Sequence, residues 1–186
     1  MPQLTCFNFI SLDGYYKGVD NDIHWHRHGE EESQFSAENM KRGNTLLFGR
    51  ITYEMMAGYW PSPMARENNP VVASGMNNAN KIVFSRTLTK ADWENTRLIK
   101  ENIVEEIRKL KKIPGKDMTI LGSGSIITQF AEAGLIDDFQ FMIDPVVLGK
   151  GTPIFKNIHS KMDLELLSSR VFKSGTVLLT YRPLEG

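Results

Sequence analysis

"ILGSGSIITQF", residues 120–130, sets four small residues between two apolar runs. The apolar stretch "MTIL", 118–121, ends abruptly in Gly122-Ser123-Gly124-Ser125, and a helix-like pattern resumes at once, from about Ser125 to Ala133. A strand that delivers a small-residue turn to a helix N-terminus offers unpaired backbone N–H groups, which suit a phosphate. The Rossmann dinucleotide loop would need Gly-x-Gly-x-x-Gly, and here the third glycine position is Ile127, whose side chain obstructs close packing of helix on sheet. The stretch reads either as an ordinary strand-to-helix turn or as an anion site of a different fold. Other strand ends in the chain decide between the two.

"LLFGRITYEMM", 46–56, is a second such junction: strand, glycine, arginine, then a threonine opening a helix. Gly49 lets a ligand approach the backbone closely. Arg50 offers a planar fork for phosphate oxygens, and Thr52 can cap the helix or donate to the same phosphate. "VFSRT", 83–87, places Ser85 and Arg86 at a third strand end. Ligands of open parallel sheets gather outside the carboxyl ends of the strands. A dinucleotide with several phosphates, a 2′-phosphate among them, would use all three junctions.

The rest of the chain is consistent with such a sheet. Residues 3–12 are apolar on both alternating faces, as in a strand covered on both sides. A long, polar, glycine-punctuated loop follows, "DGYYKGVDNDIHWHRHG", and then a helix is expected over 31–42. Tyr53, Met56, Ala57 and Trp60 keep helical spacing up to Pro61, and residues 61–80, rich in Pro and Asn, read as a loop. "KIVFS" and "TRLI" are strands, and "ENIVEEIRKLKKI" is a helix with a basic, solvated end. "DFQFMID", "LELLSSRVF" and "TVLLTYRP" are late strands, the last two forming a hairpin around Lys173-Ser174-Gly175. This is an α/β pattern: three layers, helices on both faces of a mostly parallel sheet, with antiparallel strands at the C-terminal edge. A single domain over residues 1–186 is expected.

Twenty-two basic residues balance twenty-two acidic ones, so no global field draws the chain to nucleic acid or to a membrane surface. No apolar run approaches transmembrane length, and "MPQLTCFNF" lacks the pattern of a signal peptide, so a cytoplasmic protein is expected. The one cysteine, Cys6, lies in an apolar run and reads as a buried thiol. His24, His26 and His28 alternate in "HWHRH" but lack further ligands at metal spacing, so no metal site is assigned.

Taken together, these motifs identify the chain as resembling the dihydrofolate-reductase fold, closest to the reductase domain of riboflavin biosynthesis and its stand-alone relatives. "LLFGRITYE" is similar to the segment that grips the cofactor pyrophosphate, and "VFSRT" to the one that meets the adenosine 2′-phosphate. "ILGSGSIITQF" resembles the Gly-Gly turn of that fold, and "SLDGYYKG" and "FMIDPVVLGKGTPIF" look like the riboflavin-type branch. The resemblance implies NADPH as hydride donor, held by Gly49, Arg50, Thr52, Ser85, Arg86, Gly122, Ser123, Gly124, Ser125 and Ile126. It also implies a homodimer, because riboflavin-type reductases commonly pair through their late strands.

On the substrate side, dihydrofolate reductases place a buried carboxylate five or six residues after a loop tryptophan. Trp25 is followed at those spacings by Glu30 and Glu31. At most one of them would relay a proton; alternatively Glu30, Glu31 and Glu32 are a solvated, acidic helix start. Asp13 in "SLDG" is either a polar group facing the substrate or a turn former. Trp25 and Asp13 are the candidate substrate contacts. The expected activity is NADPH-dependent reduction of a small pyrimidine- or pterin-like heterocycle, similar to 5-amino-6-(5-phosphoribosylamino)uracil reductase. True dihydrofolate reduction and a non-catalytic NADP(H)-binding module stay open as alternatives.

Overall fold

The computed structural model describes residues 1–184. Its first strand, β1 (Leu4–Ser11), turns through a short strand, β2 (Tyr15–Lys17), into the polar loop and then α1 (Glu30–Lys41). Two strand–helix units follow: β3 (Thr45–Gly49) with α2 (Arg50–Tyr59), then α3 (Pro63–Asn68) and α4 (Pro70–Asn78) leading into β4 (Lys81–Phe84). Next come β5 (Thr96–Ile99), α5 (Ile103–Lys112), β6 (Met118–Leu121) and α6 (Gly124–Glu132). The chain closes with β7 (Asp138–Asp144), a two-residue β8 (Thr152–Pro153) paired with β2, and the hairpin β9 (Leu164–Val171) and β10 (Val177–Pro183).

Eight strands form one sheet in the order β5-β4-β3-β6-β1-β7-β10-β9. The pairs from β5 to β7 are parallel, and β10 is antiparallel to both β7 and β9. Alternation along each strand sends side chains to two different cores. Leu47, Ile82, Phe84 and Ile120 pack with Ile107 of α5 and with Ile126, Ile127 and Phe130 of α6. Leu46, Phe48 and Val83 pack on the other face with Tyr53 of α2 and with Val72 and Met76 of α4. The three-layer, dihydrofolate-reductase-like αβα arrangement is therefore present. Cys6 lies in the first core with no exposed surface, and burial raises its thiol pKa far above the usual range.

The expected loop over 61–80 is corrected: it is two helices. Pro63 and Pro70 each stand in the first turn, where a missing N–H costs nothing and a fixed φ helps. Ser62 caps α3 by accepting from the Ala65 N–H at 3.2 Å. The proline content that read as a loop is a pair of helix starts. Lys81 then closes α4: its buried Nζ donates to the carbonyls of Met76, Asn77 and Ala79 at 2.7–3.0 Å.

Candidate active site

In the sheet order β4, β3, β6 and β1 are consecutive, so their carboxyl ends stand side by side. A cleft of about 1710 Å³ opens along them. That exceeds the roughly 300–1,000 Å³ of a single small-ligand pocket and leaves room for a dinucleotide and a second molecule. Gly49, Arg50, Thr52, Ser85, Arg86, Gly122, Ser123, Ser125 and Ile126 line it.

Two of the three junctions are locked to each other. The Gly49 N–H donates to Ser123 Oγ at 2.8 Å, and a Cβ on Gly49 would meet Ile126 Cγ1 at 3.3 Å. Gly122 has φ +59°, and a Cβ there would meet Thr52 Cγ2 at 3.1 Å. Ser123 is left-handed as well, at φ 63°. This double left-handed step turns β6 sharply into α6 and lets Thr52 close over the glycine. Neither α2 nor α6 has a side-chain cap hydrogen bond at its N-terminus; in α6 the Ile126 N–H already donates to the Ser123 carbonyl, so first-turn N–H groups of α2 and that of Ser125 in α6 remain for an anion. Gly124 is the exception among the expected cofactor contacts. It does not line the cleft; the Tyr16 ring covers it, with Cε1 2.6 Å from where a Cβ would stand. Burial raises the Tyr16 pKa, opposed by a hydrogen bond to the Gly124 backbone.

The third junction works differently. Ser85 Oγ accepts from the N–H groups of Thr87 at 3.2 Å and Leu88 at 3.0 Å, which folds the turn that presents Arg86. Lys100, just past β5, also lines the cleft, and no motif singled it out. Arg50 rests on Glu54 at 2.9 Å, with about half of each side chain exposed. Such a surface pair is weak and yields readily to a phosphate. The cleft thus fits a phosphorylated dinucleotide: two uncapped helix starts, glycines at the closest approach, and Arg50, Arg86 and Lys100 around them.

The substrate-side candidates are placed elsewhere. Asp13, Trp25, Glu30 and Glu31 are absent from the cleft lining. Asp13 accepts from Ser11 Oγ at 2.6 Å and from the N–H groups of Leu148 at 3.1 Å and Gly149 at 2.8 Å, fixing the loop after β7. The Ser11 hydroxyl, followed by these backbone donors, holds its carboxyl below the usual range. Glu31 accepts from the Lys173 N–H at 2.9 Å. Glu32 is buried and bonds both the Gly29 N–H and the Ser174 hydroxyl. Of the two candidate catalytic carboxylates, Glu31 therefore clasps the β9–β10 turn, and Glu32 beside it does the same. Trp25 Nε1 donates to the Asp22 carbonyl at 3.1 Å, and its indole meets the His26 ring edge-on, centroids 4.2 Å apart. Of this loop, residues 20–23, His24, His26 and His28 reach the cleft, and His26 stacks on Phe9 at 4.7 Å and 20°.

Comparison with known proteins agrees with this architecture. Residues 2–178 match the model of the RibD C-terminal domain. The chain is 33% identical over 172 residues to the uncharacterized protein YyaP of Bacillus subtilis, covering 92% of this chain and 90% of that one. Its fold is similar to that of a putative riboflavin biosynthesis protein from Shewanella sp. PV-4 (TM-score 0.78, 22% identity, 98% and 99% of the two chains). It is similar too to a diaminohydroxyphosphoribosylaminopyrimidine deaminase/5-amino-6-(5-phosphoribosylamino)uracil reductase from Thermotoga maritima (0.70, 18%, 98% and 57%). A dihydrofolate reductase from Enterococcus faecalis complexed with NADP(H) shares the fold as well (0.66, 17%, 98% and 97%). The chain belongs to the RibD C-terminal domain family.

Proposed function

We propose that this protein is an NADPH-dependent reductase of a small, planar pyrimidine- or pterin-like heterocycle. The observation that carries the reading is the single cleft into which Gly49–Thr52, Ser85–Arg86, Gly122–Ser123 and Ser125–Ile126 all open. NADPH, when bound, supplies the hydride. The chain's own residues do the rest. The α2 and α6 N-termini receive the pyrophosphate through backbone N–H groups. Arg86 and Lys100 meet the 2′-phosphate, for which Arg offers two parallel donors. Phe9 and His26 form an aromatic wall that orients a flat ring and excludes water beside it. Trp25 acts at one remove by holding His26, and Asp13 by holding the 147–149 loop. Glu30 and Glu31 lie outside the lining, which weighs against a dihydrofolate-type carboxylate relay. NADPH oxidation across a panel of pyrimidines and pterins tests the proposal. Oxidation with a pyrimidine supports it, turnover of dihydrofolate alone replaces it, and binding without any turnover leaves a non-catalytic module.

The proposal includes a homodimer through β9. This edge strand exposes Leu166, Leu167 and Val171 at 52%, 41% and 73%, an open row of apolar side chains and unpaired backbone groups that a second copy would cover. A monomeric mass by sedimentation at micromolar concentration would refute it, and Leu167→Glu should convert a dimer to monomers. Among the described residues no helix is long and apolar enough to cross a membrane.

A further inference from the structure

α2 is apolar on two faces. Tyr53, Met56, Ala57 and Trp60 pack on the second core, as the buried stripe of a surface helix does. Ile51, Met55 and Tyr59 repeat at i, i+4 and i+8, where a surface helix ordinarily carries polar residues. They are 52%, 42% and 37% exposed, and all three line the cleft. The stripe runs about 12 Å along the helix from its Arg50 end. α1 borders the same cleft with Ser33, Ser36, Asn39 and Met40, and α4 with Val72 and Met76. α1 also carries four glutamates and a lysine, yet none of them lines the cleft. Four of the chain's nine methionines do, Met40, Met55, Met56 and Met76, and their flexible thioethers adapt to apolar groups of varied shape.

We propose that α1 and α2 form a substituent lobe, which takes an uncharged, apolar group carried by the substrate ring and rejects a phosphate. Among the described residues α1, α2 and α4 give the cleft lining one cation, Arg50, which stands at the pyrophosphate end and pairs with Glu54. The other cations lie elsewhere: Arg86 and Lys100 follow β4 and β5, and Lys17 Nζ donates to Asn21 Oδ1 at 2.6 Å. The 18–29 loop adds two carboxylates, Asp20 and Asp22. Burial, and then His28, lower the His26 pKa to about 4 against the opposing pull of Asp22, so this ring is uncharged at neutral pH. A phosphate held between α1 and α2 would lose water without gaining a charged partner. The phosphoribosyl substituent that the sequence resemblance implies is therefore the wrong occupant, and specificity rests on Met55 and Tyr59. The proposal deepens the reductase reading and rests on it: it names what the substrate carries beyond its ring.

The test uses the full chain and two ring systems, 5-amino-6-alkylaminouracils and 6-alkylpterins, each with a methyl, an n-pentyl or a 5-phosphopentyl group. Calorimetric titrations are run with saturating NADP⁺, NADPH oxidation is followed with each compound, and NADPH affinity is measured separately. Ring for ring, the pentyl compound should bind roughly tenfold or more tightly than either of the other two. Met55→Ala should lose roughly threefold or more of the pentyl affinity. Met55→Arg, at a half-exposed helix position, should reverse the order and bind the phosphopentyl compound more tightly. Both variants should keep the NADPH affinity and the sedimentation mass of the wild type. Equal binding of methyl and pentyl compounds, a wild type that prefers phosphopentyl, or one that binds NADPH and none of the compounds would overturn the lobe. A smaller mass for Met55→Arg would overturn it too, by giving the stripe to a second copy of the chain. Pentyl preference without any NADPH oxidation would instead sink the reductase reading and leave the lobe standing.

Discussion

At the Gly49–Gly122 end of the cleft the work is done by backbone. Two strand–helix turns pack on each other through Gly49 N–H to Ser123 Oγ and Thr52 over Gly122, with two successive residues in left-handed geometry. At the Phe9–His26 end it is done by side chains. A histidine is stacked on Phe9 and braced by Trp25, on a loop whose far end is fastened to the β9–β10 turn by Arg27, Glu31 and Glu32. A backbone-built site holds one ligand shape and tolerates few substitutions, whereas a site built from side chains can be retuned by exchanging them. The first suits a shared cofactor and the second a particular substrate.

The sharpest way to break this contrast is Gly122→Val. A branched Cβ at φ +59° would press on Thr52 at 3.1 Å, and the left-handed backbone alone costs ~1–2 kcal/mol in a residue with a Cβ. Unfolding and NADPH titration on the same sample should show a marked loss of stability together with loss of binding. A variant that stays folded and binds NADPH as the wild type does would leave this loop as a mere turn. Arg86→Ala comes next, with an expected cost of ~1.5–3 kcal/mol in NADPH affinity and little change for NADH. Equal losses for both cofactors would move Arg86 away from the 2′-phosphate.

At the other end, His26 should make stability pH-dependent. The unfolded chain protonates this ring near its ordinary value of 6.5, the folded protein only at about 4. Between those values the unfolded state binds more protons, so the contribution is fully present above pH 6.5 and is lost as pH falls toward 4, by up to ~3 kcal/mol. His26→Phe removes the dependence, and parallel denaturation curves across that window for wild type and variant would refute it. The smallest effects belong to Glu30→Gln and Glu31→Gln. Both should leave NADPH oxidation within about twofold and stability within ~1 kcal/mol; a large fall in turnover with an altered pH profile would restore the carboxylate relay.

The three strand-end junctions were legible because their signals are local: glycines, arginines and hydroxyls at short offsets after a strand. What the sequence withheld there is mutual. Ser123 faces Gly49 from 74 residues away, and Tyr16 covers Gly124 from the long loop. At the Phe9–His26 end the chain is silent for the same reason on a larger scale. Three adjacent glutamates look alike in the chain, and what separates them is a turn about 142 residues later that takes Glu31 and Glu32 as its anchors.

Cys6 offers a practical handle of another kind. It is the chain's single thiol, sealed in the core beneath α5 and α6 and held protonated by its surroundings, so alkylating reagents meet almost no thiolate there. A cysteine introduced on the loop surface, at exposed Val19 for instance, would be the one position a maleimide dye labels in the folded protein. Fluorescence from that dye could then follow the 18–29 segment as each ligand is added, without first removing a native residue.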